Sequence, residues 1–138
     1  MSIFATADEL YACIGGFLES MKSHPQTQSL LESLHLTVRF VFSEPEAAMT
    51  LIARGREQSI TYGPSDLTPD VALEMTGDVA HQFWRGELNV MGAITKRQIV
   101  PTGSLSKMMM LTPLIKAAIR LYPTYYEQWL ASRNRSDV

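Results

Sequence analysis

The sequence contains little cysteine, little net charge and no long apolar run, and each shortage excludes a class of protein. Cys13 is the only cysteine among 138 residues, so no disulfide can form within the chain. Its apolar neighbours indicate a buried small hydrophobe rather than a reactive thiol. No stretch approaches the ~18 apolar residues that a membrane-spanning helix needs. The net charge of −2 provides no general basic field for nucleic acid. Because the N-terminus lacks the pattern of a signal peptide, we expect a cytoplasmic protein.

Groups suited to catalysis or metal binding are also scarce. His24 and His35 lie far from His81 in the sequence, and no cluster of cysteine or carboxylate ligands accompanies them. Asp78 and His81 can touch across one helical turn, but no nucleophile or third ligand stands near them. Gly15-Gly16 is not a phosphate loop, because no strand precedes it and no Gly-Lys-Ser/Thr follows it. The sequence therefore predicts no catalytic residue, no metal and no cofactor.

The chain does contain enough apolar surface for one core. An apolar fraction of 46% over 138 residues predicts a single domain at 1–138. The first helix begins at a capping box formed by Thr6 and Glu9, and apolar residues recur along it at helical spacing. Gly15-Gly16 inside this helix predicts either a closely packed neighbour or a bend. A second short helix is predicted from Pro25 to Leu34.

A period of two then replaces the helical period. It predicts strands at 36–42, 49–53 and 58–62, and the short connections between them indicate an antiparallel meander. A fourth strand is predicted at 71–75, after Pro69, with alternate apolar residues on one face.

Short elements with glycine at their ends follow the fourth strand. A helix is predicted at about 78–85, and Gly86 is a suitable residue to end it. The alternation of Leu88 and Val90 predicts a fifth, short edge strand at 88–92. Residues 96–103 include Pro101 and are predicted as a loop or an irregular strand.

The last third of the chain is predicted to be helical. Ser104 caps a short helix, and Thr112-Pro113 begins another that runs to about Leu121. Pro123 is predicted to end that helix, and a capping box at 124–127 to open a terminal one. The whole order predicts an α+β fold, a five-stranded, mostly antiparallel sheet with helices covering one face.

One segment of this order carries a resemblance to a known family. The strand at 70–75, the helix at 78–85, Gly86-x-Leu88-x-Val90-x-Gly92 and the following apolar helix together resemble the sterol carrier protein 2 family. The meander and the helix before it match the family's order, so the resemblance spans roughly residues 8 to 121. The loop at 95–103 is longer and more polar than the family pattern.

The resemblance implies both a site and a role. It implies an apolar tunnel between the sheet and the C-terminal helices, which holds a sterol, a fatty acyl chain or an isoprenoid, quinone-like lipid. Such domains carry their ligand and do not catalyse. Methionine suits such a site because its unbranched side chain repacks around variable shapes. The candidate ligand-binding residues are Phe83, Trp84, Val90, Met91, Met108, Met109, Met110, Leu111, Leu114 and Ile115.

A second hypothesis assigns the same surface to protein contacts. The Met-rich helix and a terminal helix with Tyr125, Tyr126 and Trp129 would then dock on an enzyme partner or on a second copy, with the cavity closed. Under the carrier hypothesis, Lys107, Lys116 and Arg120 could meet a ligand headgroup or a membrane surface, and membrane contact is expected to be at most peripheral. Nucleic acid is not an expected partner.

Overall fold

The computed structural model describes residues 2–136, with side chains through Arg133, and contains seven α-helices and five strands in that range. The first helix includes one π-helical turn, Tyr11–Gly15. The helices are α1 Ala7–Leu10, α2 Gly16–Met21, α3 Gln28–Leu34, α4 Gly77–Trp84, α5 Val90–Thr95, α6 Leu105–Met110 and α7 Thr112–Ser136. The strands are β1 Leu36–Ser43, β2 Ala47–Arg54, β3 Glu57–Tyr62, β4 Val71–Thr76 and β5 Val100–Gly103.

The five strands form one sheet in the order β3-β2-β1-β4-β5. The β1-β2-β3 meander is antiparallel, as predicted, and β5 is antiparallel to β4. Only β1 and β4 are parallel, with Phe40 opposite Leu73. The prediction of an α+β fold with a five-stranded, mostly antiparallel sheet is therefore confirmed.

Helices cover one face of this sheet because its strands alternate apolar and polar side chains. Leu36, Val38, Phe40 and Phe42 are all buried on one side of β1. On the other side, Arg39 bonds to Thr50 of β2 and to the carbonyl of Leu67. The apolar face packs against α2, α4 and α7, which enclose the core between sheet and helices.

The expectation of a closely packed neighbour at Gly15-Gly16 is confirmed, and the helix also contains a π-helical turn there. The π-helical turn ends at Gly15. A Cβ atom at Gly15 would lie 2.6 Å from the Tyr62 ring, and one at Gly16 would lie 2.5 Å from the Tyr125 hydroxyl. The glycines thus let β3 and α7 approach the first helix.

The prediction of an edge strand at 88–92 is wrong. Residues from Val90 onward form α5, and the Asn89 side chain caps this helix by accepting from the backbone N–H of Gly92 at 2.9 Å. Two alternating apolar residues fit one turn of helix as well as a short strand, and Asn is a strong N-cap. The fifth strand is instead Val100–Gly103, within the segment predicted as a loop or irregular strand. As an edge strand it tolerates Pro101.

Pro123 does not end a helix, contrary to the prediction. α7 continues through it to Ser136, so the predicted capping box at 124–127 lies inside a helix. Proline inside a helix costs about 3 kcal/mol. Tyr122 and Tyr126, on either side of it, pack against the core, and this packing outweighs the cost. The helix predicted from Pro25 likewise begins only at Gln28.

Candidate ligand-binding site

A groove opens on the surface beside the β4-β5 edge of the sheet, under α5 and α6. Its volume is about 190 Å³. The side chains around it come from β4, β5, α4, α5, α6 and the start of α7, and Thr112 is the only one with a hydroxyl group. The groove is lined by Leu73, Met75, Phe83, Val90, Met91, Ile94, Ile99, Pro101, Leu105, Met108, Met109, Leu111, Thr112 and Ile115.

A second, much smaller cavity lies deeper, between the sheet and the helices. Its volume is about 20 Å³, which is room for about one water molecule. Leu73, Phe83, Leu111 and Ile115 line both the groove and this inner cavity. These four side chains therefore form the partition between the surface groove and the core.

The outer wall of the groove is α6, which has no buried side chain. Ser104 caps this helix by accepting from the backbone N–H of Lys107. The Lys107 ammonium group is held by Asp70, with 2.8 Å between Nζ and Oδ1. Asp70 also pairs with Arg54 and accepts from the backbone N–H of Thr37, so it joins α6 to the sheet. The hydrogen bond from Lys107, followed by that from Thr37, lowers the pKa of the Asp70 carboxyl group.

Several solved structures have a similar arrangement of strands and helices. A sterol carrier protein domain 2 from Helicoverpa armigera is 21% identical over 80% of this chain and 87% of its own, with a TM-score of 0.67. The chain has the sterol carrier protein 2 fold. The resemblance drawn from the glycine-bracketed segment is thus confirmed at the level of the fold. No model of a known protein family matches the sequence, and no curated protein matches it.

Two further structures show where the sterol carrier protein 2 fold occurs. The UbiJ-SCP2 ubiquinone synthesis protein is 14% identical, with a TM-score of 0.60 over 79% of this chain and 90% of its own. Sterol carrier protein 2 from Aedes aegypti, solved in complex with palmitate, is 19% identical, with a TM-score of 0.52 over 79% of this chain and 93% of its own.

The structure brings the predicted site residues close together in this fold, although not all on one surface. Seven of them line the groove. Trp84 and Leu114 line the inner cavity, together with three of the groove residues. Met110 instead lines a separate depression of about 230 Å³ beside Leu30 and Leu34, where Met109 also lies. The seven groove residues are Phe83, Val90, Met91, Met108, Met109, Leu111 and Ile115.

The residues on the sheet side of the groove were not among the predicted site residues. Leu73 and Met75 were correctly predicted on one face of the fourth strand, but nothing in the sequence placed that face beside α6. Ile94 and Ile99 also line the groove. Ile94 lies in α5, next to the wrongly predicted strand, and Ile99 lies in the segment predicted as a loop or irregular strand. Their apolar character was the available signal.

A buried network of a tyrosine, a histidine and a cysteine lies away from the groove. The Tyr122 hydroxyl is 2.9 Å from Nδ1 of His81 and 3.5 Å from Sγ of Cys13. Burial raises the pKa of the Cys13 thiol to about 11, raises the pKa of Tyr122 and lowers the pKa of His81. All three are therefore uncharged near pH 7, and the interpretation of Cys13 as a buried small hydrophobe is confirmed.

Within residues 2–136, no three His, Cys, Asp or Glu side chains are arranged to hold a metal ion. In the same range, no helix is both long and apolar enough to cross a bilayer.

Proposed function

We propose that this protein binds and carries an apolar molecule, which enters through the groove under α6. The supporting observation is the open groove with an almost wholly apolar lining, since burial of alkyl surface supplies about 25 cal/mol per Å². The complex of the Aedes aegypti protein with palmitate supports the same role for this chain. The ligand class is a fatty acyl chain, a sterol or an isoprenoid, quinone-like lipid. We also propose that residues 1–138 act as one lipid-binding domain.

The groove must enlarge to hold such a ligand. Its volume of about 190 Å³ is below the roughly 300–1,000 Å³ typical of small-molecule sites. Enlargement would come from displacing the four side chains of the partition, which would join the groove to the inner cavity. Outward movement of α6 would help, because none of its own side chains is fully buried. Met108 and Met109 can repack around a chain of variable shape.

We propose a carrier rather than an enzyme because the groove lacks groups for chemistry. Its one hydroxyl, that of Thr112, has no histidine or carboxylate among the lining side chains to activate it. The Cys13–Tyr122–His81 network is buried elsewhere and uncharged near pH 7.

The test compares two neighbouring methionines that differ in their relation to the groove. Met109 lines both the groove and the separate depression, whereas Met110 lines only the depression. Both side chains are exposed, so either one can be replaced by glutamate without burying a charge in the free protein. A charge at 109 would be desolvated by a bound alkyl chain, and a charge at 110 would not.

We expect the wild-type protein to bind a fluorescent fatty acid, Met109→Glu to bind it at least about tenfold more weakly, and Met110→Glu to bind it as the wild type does. Circular dichroism and a thermal melt establish that both variants are folded. Absence of uptake by the wild type would contradict the proposal. Equal losses in the two variants would contradict the placement of the ligand in the groove and indicate the depression beside Leu30 instead.

A second candidate function is that of a protein-interaction or homodimerising module. Two observations favour it, the exposure of the Met-rich α6 and the small volume of the inner cavity. It predicts a stable dimer in size-exclusion chromatography with light scattering, and no uptake of apolar probes.

A further inference from the structure

Exposed apolar side chains are concentrated around the mouth of the groove. Met91 is 71% exposed, Leu105 is 72% exposed and Met109 is 65% exposed. Val90 and Met110 are also exposed, so all five lie on the two short helices α5 and α6. Single exposed apolar residues are ordinary on a protein surface, but a cluster on adjoining elements is typical of an interaction site. We call these five side chains the apolar rim.

The same part of the chain is strongly basic. Between Glu87 and Glu127 the sequence contains no aspartate or glutamate and five basic residues, Lys96, Arg97, Lys107, Lys116 and Arg120. Because the whole chain has a net charge of −2, the residues outside this segment carry a net charge of −7. The charge asymmetry therefore coincides with the segment that carries the apolar rim.

The basic residues border the rim in the folded protein. Lys96 and Arg97 are exposed at the end of α5, between the groove-lining residues Ile94 and Ile99. Lys116 is exposed and follows Thr112 by four residues of α7, which is about 6 Å along the helix. Side chains of a helix tilt toward its N-terminus, so Lys116 extends back toward the groove.

Nearby acidic groups leave most of this positive charge uncompensated. Asp70 pairs with Lys107, but its single charge is shared with Arg54. Glu87, next to α5, is paired with Arg85 at 2.8 Å. Glu74 is exposed on β4, but alternation along the strand places it on the opposite face from the groove-lining Leu73.

We propose that the apolar rim is a docking surface for an anionic lipid bilayer. The five apolar side chains would enter the boundary between headgroups and acyl chains, and Lys96, Arg97 and Lys116 would lie among the anionic headgroups. Charge complementarity favours a lipid surface, because an exposed apolar strip with a one-signed basic border is the pattern of peripheral membrane binding. The mouth of the groove would then face the bilayer. The docking surface does not depend on the proposed ligand, and the two are tested separately.

The test is co-sedimentation with vesicles of phosphatidylcholine alone and of phosphatidylcholine with 30% phosphatidylglycerol. We expect binding to the anionic vesicles only, weakening as salt is raised. The double variant Lys96→Glu/Arg97→Glu is expected to bind them at least about 30-fold more weakly. The control, Lys22→Glu/Arg56→Glu, changes net charge equally at sites away from the rim and is expected to bind as the wild type does.

Depth of contact is measured with an environment-sensitive dye on a cysteine introduced by Met91→Cys. The native Cys13 is buried, so the dye reacts at position 91. Anionic vesicles are expected to shift the emission of this dye to the blue and to leave a dye at Arg56→Cys unchanged.

Three results would overturn the proposal. The first is equal binding to the two kinds of vesicle, and the second is an equal loss of vesicle binding in the two double variants. The third is a dimer, detected by light scattering, that shields the dye at position 91 in the absence of vesicles. Fatty acid binding without vesicles, measured on Lys96→Glu/Arg97→Glu, separates this proposal from the carrier function. We expect that binding to be unchanged, because neither residue lines the groove.

Discussion

The buried hydroxyl of Tyr122 joins three parts of the helical layer, and its removal is expected to destabilise the fold measurably. Tyr122 lies on α7 and is fully buried. Its hydroxyl contacts Nδ1 of His81 on α4 at 2.9 Å and Sγ of Cys13 in the π-helical turn at 3.5 Å. The change Tyr122→Phe removes this hydroxyl and keeps the ring.

The expected cost comes from the histidine. The ring packing is retained, because phenylalanine can keep the T-shaped contact with Phe17 and the stacking with Tyr126, at centroid distances of 5.0 and 5.8 Å. The His81 nitrogen loses its partner while buried, which costs about 1–3 kcal/mol, and the weak contact with the Cys13 sulfur adds little. We therefore expect a loss of about 2 kcal/mol in the free energy of unfolding.

The assay is urea unfolding followed by circular dichroism. Tyr125→Phe is the matched control, because Tyr125 lies on the same helix, contacts Phe17 at 5.2 Å and makes no hydroxyl hydrogen bond within residues 2–133. The control is expected to change the free energy of unfolding by less than about 0.5 kcal/mol. A free energy of unfolding for Tyr122→Phe equal to that of the wild type, or an equal loss in Tyr125→Phe, would refute this role of the Tyr122 hydroxyl.

Three further predictions concern stability. Gly86→Ala should lower the free energy of unfolding by about 2 kcal/mol, because Gly86 has φ +74° and a Cβ there would lie 2.8 Å from Cγ2 of Ile119. In the same urea assay the control Gly92→Ala should be neutral or stabilising, because Gly92 lies inside α5 and a Cβ there would make only ordinary contacts, at 3.6 Å or more, with Asn89. Pro123→Ala should raise the free energy of unfolding by about 2 kcal/mol, since it restores a helical N–H and removes ring clashes, and an unchanged or lower value would count against a continuous α7. Burial lowers the pKa of His81, so the contribution of the neutral side chain to stability is complete above pH ~6.5 and is lost as the pH falls from there toward the folded-state pKa. The urea midpoint should therefore be lower at pH 5.5 than at pH 7.5. An NMR titration of His81 with a pKa at or above 6.5 would contradict this.

The sheet could be predicted from the sequence because its strands are long enough for their period to be unambiguous. In β1, Leu36, Val38, Phe40 and Phe42 repeat every second residue over the whole strand, and the meander then follows from the short connections. The parallel pairing of β1 with β4 has no comparable signal. It depends on where a strand distant in sequence packs, and that is decided by tertiary contacts.

Short elements could not be predicted, because their local signals conflict. Leu88 and Val90 give a strand-like alternation, while Asn89 between them is a helix cap, and the cap determines the structure. At Pro123 a strong helix-breaking signal is overridden by the packing of the aromatic residues around it, including Tyr122.

The candidate site could be predicted only from its helical side. Phe83, Met109 and Ile115 are recognisable as apolar residues on helices that follow a glycine-bracketed segment. Leu73 and Met75 complete the lining because the fold brings this face of β4 next to α5 and α6. This adjacency is a property of the fold rather than of any local pattern.

The measurement that tests the carrier function most directly is native mass spectrometry of the gently purified protein, with organic extraction and identification of whatever is bound. We expect a discrete apolar molecule at near-stoichiometric level, and its absence from Met109→Glu purified in the same way. A mass equal to that of the bare chain, together with no uptake of fluorescent fatty acid or sterol probes, would contradict the carrier function.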